Sequence, residues 1–217
     1  MASVAEAMQL LNGWPSALTW RRFHEVSNVG GNADAQTSTN VSYSYSGVYI
    51  HNNEYRPRIS ATLRLTSQTK VRRAWLNSAT DAAKAELLEH EQGHYDIAGL
   101  LLRDFLYKVL NDASMDQRVV EILTSAGNTA GSRMAYMRSE ARKKIEAAWT
   151  RRQTLHTLVD APDGPNGVHR GLYERDTEHS RNRAGQARWT RMLRYARTTN
   201  TTLAMTLFFF GVVAEFP

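Results

Sequence analysis

A helical repeat of apolar residues between Thr80 and Asn111 constrains the fold of this chain more than any other feature. Apolar side chains recur there at spacings of three and four residues, which is the period of one face of an α-helix. The middle of that face holds His90 and His94, where aliphatic residues would pack better. The pattern therefore predicts a long buried helix that carries a polar site. The residues of this face are Leu87, His90, His94, Ile97, Leu101 and Phe105.

Residues 90–94 read His-Glu-Gln-Gly-His. On a helix, two histidines four residues apart project from the same face and can bind one zinc ion. Glu91 lies beside them and can take a proton from a zinc-bound water. The chain has no cysteine, so the remaining ligands must be histidines or carboxylates, the set typical of catalytic zinc sites. The motif predicts Zn²⁺ bound by His90 and His94, with Glu91 as general base.

A catalytic zinc ion has three protein ligands and one position for water, so a third ligand is needed. A second helix, predicted from about Leu172 to Arg197, provides His179 as the expected ligand. Asp176 lies three residues earlier and would accept the second ring N–H of His179. The alternative is that Asp176 or Glu178 is itself the ligand. Tyr173 is expected either to donate to a developing oxyanion or to be an amphipathic aromatic residue at the start of a helix.

The rest of the chain predicts a mixed α+β domain. Alternating apolar residues over 41–50 and 59–66, separated by the polar turn His51-Asn52-Asn53, indicate an antiparallel hairpin. If the second strand is an edge, an extended peptide could add to it. Shorter helices are expected near 4–12, 115–124 and 130–159, and residues 201–213 are expected to form a buried strand or tail.

Composition limits the other classes of function. The chain of 217 residues fits one domain, and its net charge of +6 arises from charges of both signs scattered over helical stretches. No nucleic-acid-binding motif accompanies that charge, so no nucleic-acid partner is expected. No apolar run reaches the length of a membrane span. The first ten residues lack the pattern of a secretion signal. The sequence does not indicate an oligomeric state.

Three segments resemble a known family. They are Leu-Thr-Trp-Arg-Arg-Phe at 18–23, Glu-His-Glu-Gln-Gly-His-Tyr-Asp-Ile-Ala at 89–98, and Tyr-Glu-Arg-Asp-Thr-Glu-His-Ser at 173–180, extended by Arg181, Asn182 and Trp189. In this order, over roughly 18–190, the chain resembles the bacterial family of predicted secreted zinc-dependent proteases. The resemblance implies a zincin-type site with His90, His94 and Glu91 in the usual roles and a third ligand from the last segment. It also implies a secreted or periplasmic location, while residues 198–217 fall outside the family pattern as an extension.

The sequence thus predicts a single zincin-like α+β domain over 1–217, with a small antiparallel sheet, an active-site helix at 80–111 and several backing helices. Its predicted function is zinc-dependent hydrolysis of peptide bonds in a peptide or protein substrate. One alternative is a zincin-derived metal-binding or regulatory module without proteolytic activity, and a second is a basic helical interaction protein that binds no metal.

Overall fold

The structure is a computed structural model that describes residues 2–30, 33–125, 129–161, 170–199 and 201–214. Within these ranges the fold is α+β, as the sequence predicts. Its elements, in chain order, are α1 (Val4–Gln9), β1 (Leu11–Asn12), a 3-10 turn (Trp20–Arg22), β2 (His24–Val26), β3 (Ala35–Gln36), β4 (Thr39–His51), β5 (Glu54–Leu65), β6 (Lys70–Arg72), α2 (Arg73–Ser78), α3 (Asp81–Asp112), β7 (Met115–Asp116), α4 (Gln117–Leu123), α5 (Ala130–Asp160), α6 (Leu172–Thr177), α7 (Arg183–Thr198) and α8 (Leu203–Phe209).

The predicted hairpin is confirmed by the antiparallel pairing of β4 with β5. Asn52 and Asn53 connect the strands with positive φ angles of 49° and 62°. Two-residue hairpin turns need this left-handed backbone because it matches the twist of the strands, and asparagine adopts it more readily than most residues. The register shifts between Tyr45 and Gly47, where the chain inserts a bulge. Gly47 lies at this bulge with a φ of 125°, which glycine adopts without strain.

Strand β5 has partners on both sides at four of its twelve residues. On the side opposite β4 it pairs in parallel with β1 at Ala61 and Thr62, and antiparallel with β7 at Glu54 and Tyr55. The expectation that a peptide adds along β5 is wrong for these residues, because their backbone groups already have partners on both sides. A second, smaller sheet has the order β2-β6-β3.

Helix α3 is the central element of the core and has almost the predicted bounds. It begins after Thr80, whose side chain accepts a hydrogen bond from the backbone N–H of Ala83. That bond satisfies a donor that the first turn of a helix leaves open. Leu100, Leu101 and Leu102 are all buried although they point in different directions. The second half of α3 is therefore surrounded by other elements, which include α1, α5, α7, α8 and β5.

An aromatic cluster joins the larger sheet to the two longest helices. Tyr43 of β4, Phe105 of α3 and Trp149 of α5 have ring centroids 4.9 to 5.3 Å apart. Tilted and edge-to-face contacts at this distance are favourable beyond the area that they bury. This cluster sets the position of α5 beside α3.

The C-terminal segment does not form the strand that was one expectation, and it packs on the body, the other expectation, through only part of its length. Thr202 caps a short helix, α8, through a hydrogen bond from Met205 N to its hydroxyl. Leu203 and Leu207 share the buried face, since four residues separate them. The three phenylalanines that follow cannot all share that face, and Phe209 is 61% exposed. Among the described residues, no helix has the length and hydropathy that crossing a bilayer requires.

A buried ion pair connects α3 to the C-terminal elements. The Arg103 guanidinium donates to the carboxylate of Asp104 and to the backbone carbonyls of Ala196 and Thr201. The second Asp104 oxygen accepts from Leu203 N. Because these hydrogen bonds stabilise both charges, the ion pair can lie in the interior, where it holds α7 and α8 against α3.

We expect Arg103→Met to destabilise the fold by about 3–5 kcal/mol, since it leaves the Asp104 carboxylate buried without its cation. The measurement is the free energy of unfolding in urea. Lys108→Ala is the matched control, because it breaks an exposed ion pair with Asp112 on the same helix and should change stability by less than about 1 kcal/mol. Equal effects of the two variants would contradict this account.

Candidate metal centre

Three ligand-type atoms from two distant parts of the chain converge on one point. His90 Nε2 and His94 Nε2 of α3 lie 3.2 Å apart. Glu174 Oε1 of α6 lies 3.1 Å from the first and 2.8 Å from the second. Ligand atoms about 2.0–2.1 Å from a tetrahedral zinc ion are about 3.3 Å apart, so these separations are close to those that zinc needs. Within the described residues, this group could hold a metal ion.

The hydrogen bonds of Tyr173 determine which nitrogen of His90 carries its proton. The Tyr173 hydroxyl donates its single proton to the backbone carbonyl of His90, at 2.8 Å. The amide nitrogen of Gln186 therefore donates to the Tyr173 oxygen, at 3.2 Å, and the Gln186 carbonyl oxygen faces His90 Nδ1. A carbonyl can only accept, so Nδ1 of His90 carries the proton and Nε2 has a free lone pair.

Asp160, the last residue of α5, determines the protonation of His94 in the same way. Its Oδ1 lies 2.6 Å from His94 Nδ1, which therefore donates. The two Nε2 lone pairs and the Glu174 carboxylate oxygen then face one another, and none of the three has a proton to offer in the neutral-imidazole state. Three acceptors at this separation repel one another unless a metal cation, or a proton on one of the imidazoles, lies between them. Carboxylate–histidine pairs of this kind also orient the ligands of known zinc sites.

The charges around the cluster favour a cation. Burial by itself would raise the pKa of Glu174, but the imidazoles of His179, His90 and His94 around its carboxylate hold that pKa well below its ordinary value. Burial by itself would lower the pKa of His94, but the Asp160 and Glu174 carboxylates raise it well above the ordinary value. The two shifts are reciprocal, since the Asp160 and Glu174 carboxylates stabilise a positive charge on His94, and the neighbouring imidazoles stabilise the negative charge on Glu174.

Glu91 is the residue that the motif predicts as general base. It follows His90 directly, it is 2% exposed, and its Oε2 is buried with no hydrogen-bond partner among the described residues. Buried carboxylates normally have partners, so an unpartnered one beside a metal-type cluster needs a functional reason. The cluster and the orphaned carboxylate together fit the ligands and the base that the sequence motif predicts.

Close packing between α3 and α6 brings Glu174 to the histidines. The Tyr173 ring stacks on the His90 ring, with centroids 5.1 Å apart. This contact needs Gly93, because a Cβ atom at that position would lie 2.0 Å from the Tyr173 hydroxyl. Packing against Tyr173 therefore restricts position 93, between the two histidines of the motif, to glycine, independently of any metal.

The predicted helix from Leu172 to Arg197 is interrupted, and this changes the assignment of the third ligand. Helix α6 ends at Thr177, and Glu178, His179 and Ser180 all have positive φ angles, between 49° and 70°. His179 therefore does not lie on a helix face three residues after Asp176. Its Nδ1 lies 3.0 Å from Glu174 Oε2, and its backbone N–H donates to the same oxygen. Glu174, not His179, joins the two histidines, and His179 fixes the orientation of the Glu174 carboxylate.

The other residues predicted in this segment have structural contacts. Asp176 does not face His179; its Oδ2 accepts from the Trp189 indole, which ties α6 to α7. Glu178 is exposed at the end of α6. Tyr173 is fully buried, and because its hydroxyl proton is bound to the His90 carbonyl, it supports the site and does not offer that proton to an oxyanion.

Sequence reasoning missed three residues of this site, which are Glu174, Asp160 and Gln186. A signal for Glu174 was present, because the segment at 173–180 was already identified and a carboxylate ligand was one of the alternatives. No local pattern marks Asp160 or Gln186. Their roles depend on where α5 ends and on how α7 packs against α3.

Comparison with models of known protein families, with curated proteins and with solved structures finds no significant match. The family resemblance of the three segments therefore remains a prediction. The observations that bear on function are those of the cluster of His90, His94 and Glu174 and of the residues around it.

We expect Glu174→Gln to weaken zinc binding more than about 100-fold, because it removes the charge of the only carboxylate in the cluster. Isothermal titration with zinc after removal of bound metal measures the effect. Asp176→Asn is the control, since Asp176 lies two residues away and contacts Trp189. A larger loss of zinc affinity in His179→Ala than in Glu174→Gln would reject Glu174 as the third ligand.

Asp160→Asn should weaken zinc binding by about 10- to 100-fold, the usual effect of removing a group that orients a ligand. The same titration measures it. The matched control is Asp112→Asn, which changes a carboxylate near the end of the other long helix, in an exposed ion pair with Lys108. An affinity unchanged in Asp160→Asn would show that the contact with His94 Nδ1 does not orient the ligand.

Proposed function

We propose that this chain is a zinc-dependent hydrolase of peptide bonds. The convergence of His90 Nε2, His94 Nε2 and Glu174 Oε1, with the unpartnered Glu91 carboxylate adjacent in sequence, carries the proposal. Two histidines and one glutamate form the donor set of several zinc peptidases, and structural zinc sites more often have four ligands with cysteine among them. The His-Glu-Gln-Gly-His motif and the family resemblance support the same reaction.

Zinc at these three ligands would supply a Lewis acid for a substrate carbonyl and would favour ionisation of water. Glu91 takes the proton of the attacking water and returns it to the leaving nitrogen, as general base and then general acid. Asp160 and Gln186 hold the two imidazoles with Nε2 towards the ligand cluster. His179 holds the Glu174 carboxylate in the same way through its other oxygen.

Of the two histidines of the cluster, His94 is the more accessible to solvent. The His94 side chain is 17% exposed, whereas that of His90 is 2% exposed. His156 and His179, which contact Asp160 and Glu174, are themselves partly exposed. A substrate carbonyl would therefore approach past His94. A closed structural site has no need of such an approach.

A metal-binding module without proteolytic activity is the second candidate. It is favoured by one observation, that Tyr173 cannot serve as the expected oxyanion donor while its proton is bound to the His90 carbonyl. In this case zinc would stabilise the packing of α3 against α6 and α7, and Glu91 would have no role in turnover.

Glu91→Gln separates the two candidates. We expect this variant to bind zinc in the same stoichiometry as the wild type and to lose peptide cleavage by a factor of about 10²–10⁴, because the general base is gone. The measurements are zinc content by mass spectrometry and cleavage of a quenched fluorescent peptide library. Glu89→Gln is the control, since Glu89 is an exposed residue of the same helix that contacts Thr190.

Cleavage that persists in Glu91→Gln would refute the proposed base. If the wild type and Glu91→Gln both bind stoichiometric zinc and neither cleaves a peptide, the second candidate, a metal-binding module without proteolytic activity, would be supported.

A further inference from the structure

Arg152 is a buried cation that has no anionic partner within hydrogen-bonding distance in the described part of the chain. It is 6% exposed, and no hydrogen bond or ion pair joins its guanidinium to any residue in the described ranges. Burial lowers its pKa to about 10, opposed only in part by the Asp160 carboxylate. A buried charge without a partner destabilises a fold, and an aliphatic residue would fill the same space better. The presence of arginine at this position therefore indicates a function other than packing.

Among the described residues, Trp149 contacts the Arg152 guanidinium in a way that leaves its N–H donors unused. Its central carbon lies 5.6 Å from the centre of the Trp149 ring, which packs on Tyr43 and Phe105. A cation–π contact attracts the guanidinium but satisfies none of its five N–H donors. Trp149 thus supports the guanidinium from one side and leaves its N–H groups for an anion.

Arg152 lies on the same face of α5 as a residue that orients a metal ligand. Arg152, His156 and Asp160 follow one another at intervals of four residues, so they share one face. Asp160 Oδ1 binds His94, and Asp160 Oδ2 lies 3.9 Å from His156 Nε2. The rise from Arg152 to Asp160 is about 12 Å. Two residues of extended peptide span about 7 Å, and the arginine side chain covers much of the remaining distance.

We infer that Arg152 binds a carboxylate of the substrate, so that the chain acts on peptides that carry a carboxylate one or two residues from the cleaved bond. This inference rests on the proposed hydrolysis. Arginine suits the task because its planar N–H groups bind both oxygens of a carboxylate at once. The carboxylate has two possible sources, the C-terminus of the peptide and the side chain of an acidic residue.

Two pairs of peptides with one cleavage sequence distinguish these sources. One pair ends in a free carboxylate or a carboxamide, and the other carries Glu or Gln beside the cleaved bond. In one of the two pairs we expect the zinc-loaded full chain to cleave the peptide with the carboxylate at a kcat/KM at least about 10-fold higher than its neutral counterpart, which is the effect of one charge-assisted hydrogen bond. The pair that shows this preference identifies the source of the carboxylate. Arg152→Gln brings that ratio close to one, mainly through KM. Arg151→Gln, an exposed neighbour, keeps the wild-type ratio.

A ratio near one in the wild type, or a ratio retained in Arg152→Gln, overturns the inference. The thermal midpoint of Arg152→Met tests the opposing explanation, that Arg152 stabilises the fold. A midpoint equal to or above that of the wild type supports a binding role, and a midpoint lower by several degrees overturns it.

A binding measurement separates this inference from the proposed reaction. Zinc-loaded Glu91→Gln is titrated calorimetrically with the carboxylate and carboxamide forms of the same peptide, alone and combined with Arg152→Gln. A carboxylate preference that disappears with Arg152 supports the binding site even if the wild type cleaves nothing. Cleavage by the wild type without any carboxylate preference would leave the reaction intact and remove the binding site.

Discussion

The hydrogen bonds on the outer nitrogens of His90 and His94 are the interactions on which the site depends. Asp160 and the Gln186 carbonyl accept from the two Nδ1 atoms, and so both Nε2 lone pairs face the Glu174 carboxylate. Without those two acceptors the imidazoles could rotate or exchange tautomers, and the cluster would relax into ordinary hydrogen bonds. The three facing acceptors produce a negative electrostatic potential at one point, and a bound cation would neutralise it.

The fold supplies these acceptors from elements far apart in the sequence. Helix α3 carries the histidines, the end of α5 carries Asp160, and α6 and α7 carry Glu174 and Gln186. The aromatic cluster of Tyr43, Phe105 and Trp149 sets α5 against α3. The same helix α5 carries Arg152, two turns before Asp160. The element that orients a metal ligand is therefore also the one that would bind the substrate.

The turn after α6 shows why local reasoning assigned the third ligand to His179. An uninterrupted helix would have placed His179 and Asp176 on one face, and the helical pattern of 172–197 gives no sign of a break. Three successive residues in the left-handed region end α6 early, and non-glycine residues adopt that conformation only when tertiary contacts hold them there. Here the contacts include the bond of His179 to Glu174 and that of Asp176 to Trp189.

The sequence by itself determined the features that depend on local periodicity. These are the bounds of α3, the hairpin with its two-asparagine turn, and the placement of His90 and His94 on one buried face. Only the tertiary structure decided that Glu174 completes the cluster, that Asp160 and Gln186 orient it, that Tyr173 supports it, and that residues 203–209 form a helix. The physical reason is that a side chain four residues away is placed by helix geometry alone, whereas one that is 66 or 84 residues away is placed by the packing of every element between them.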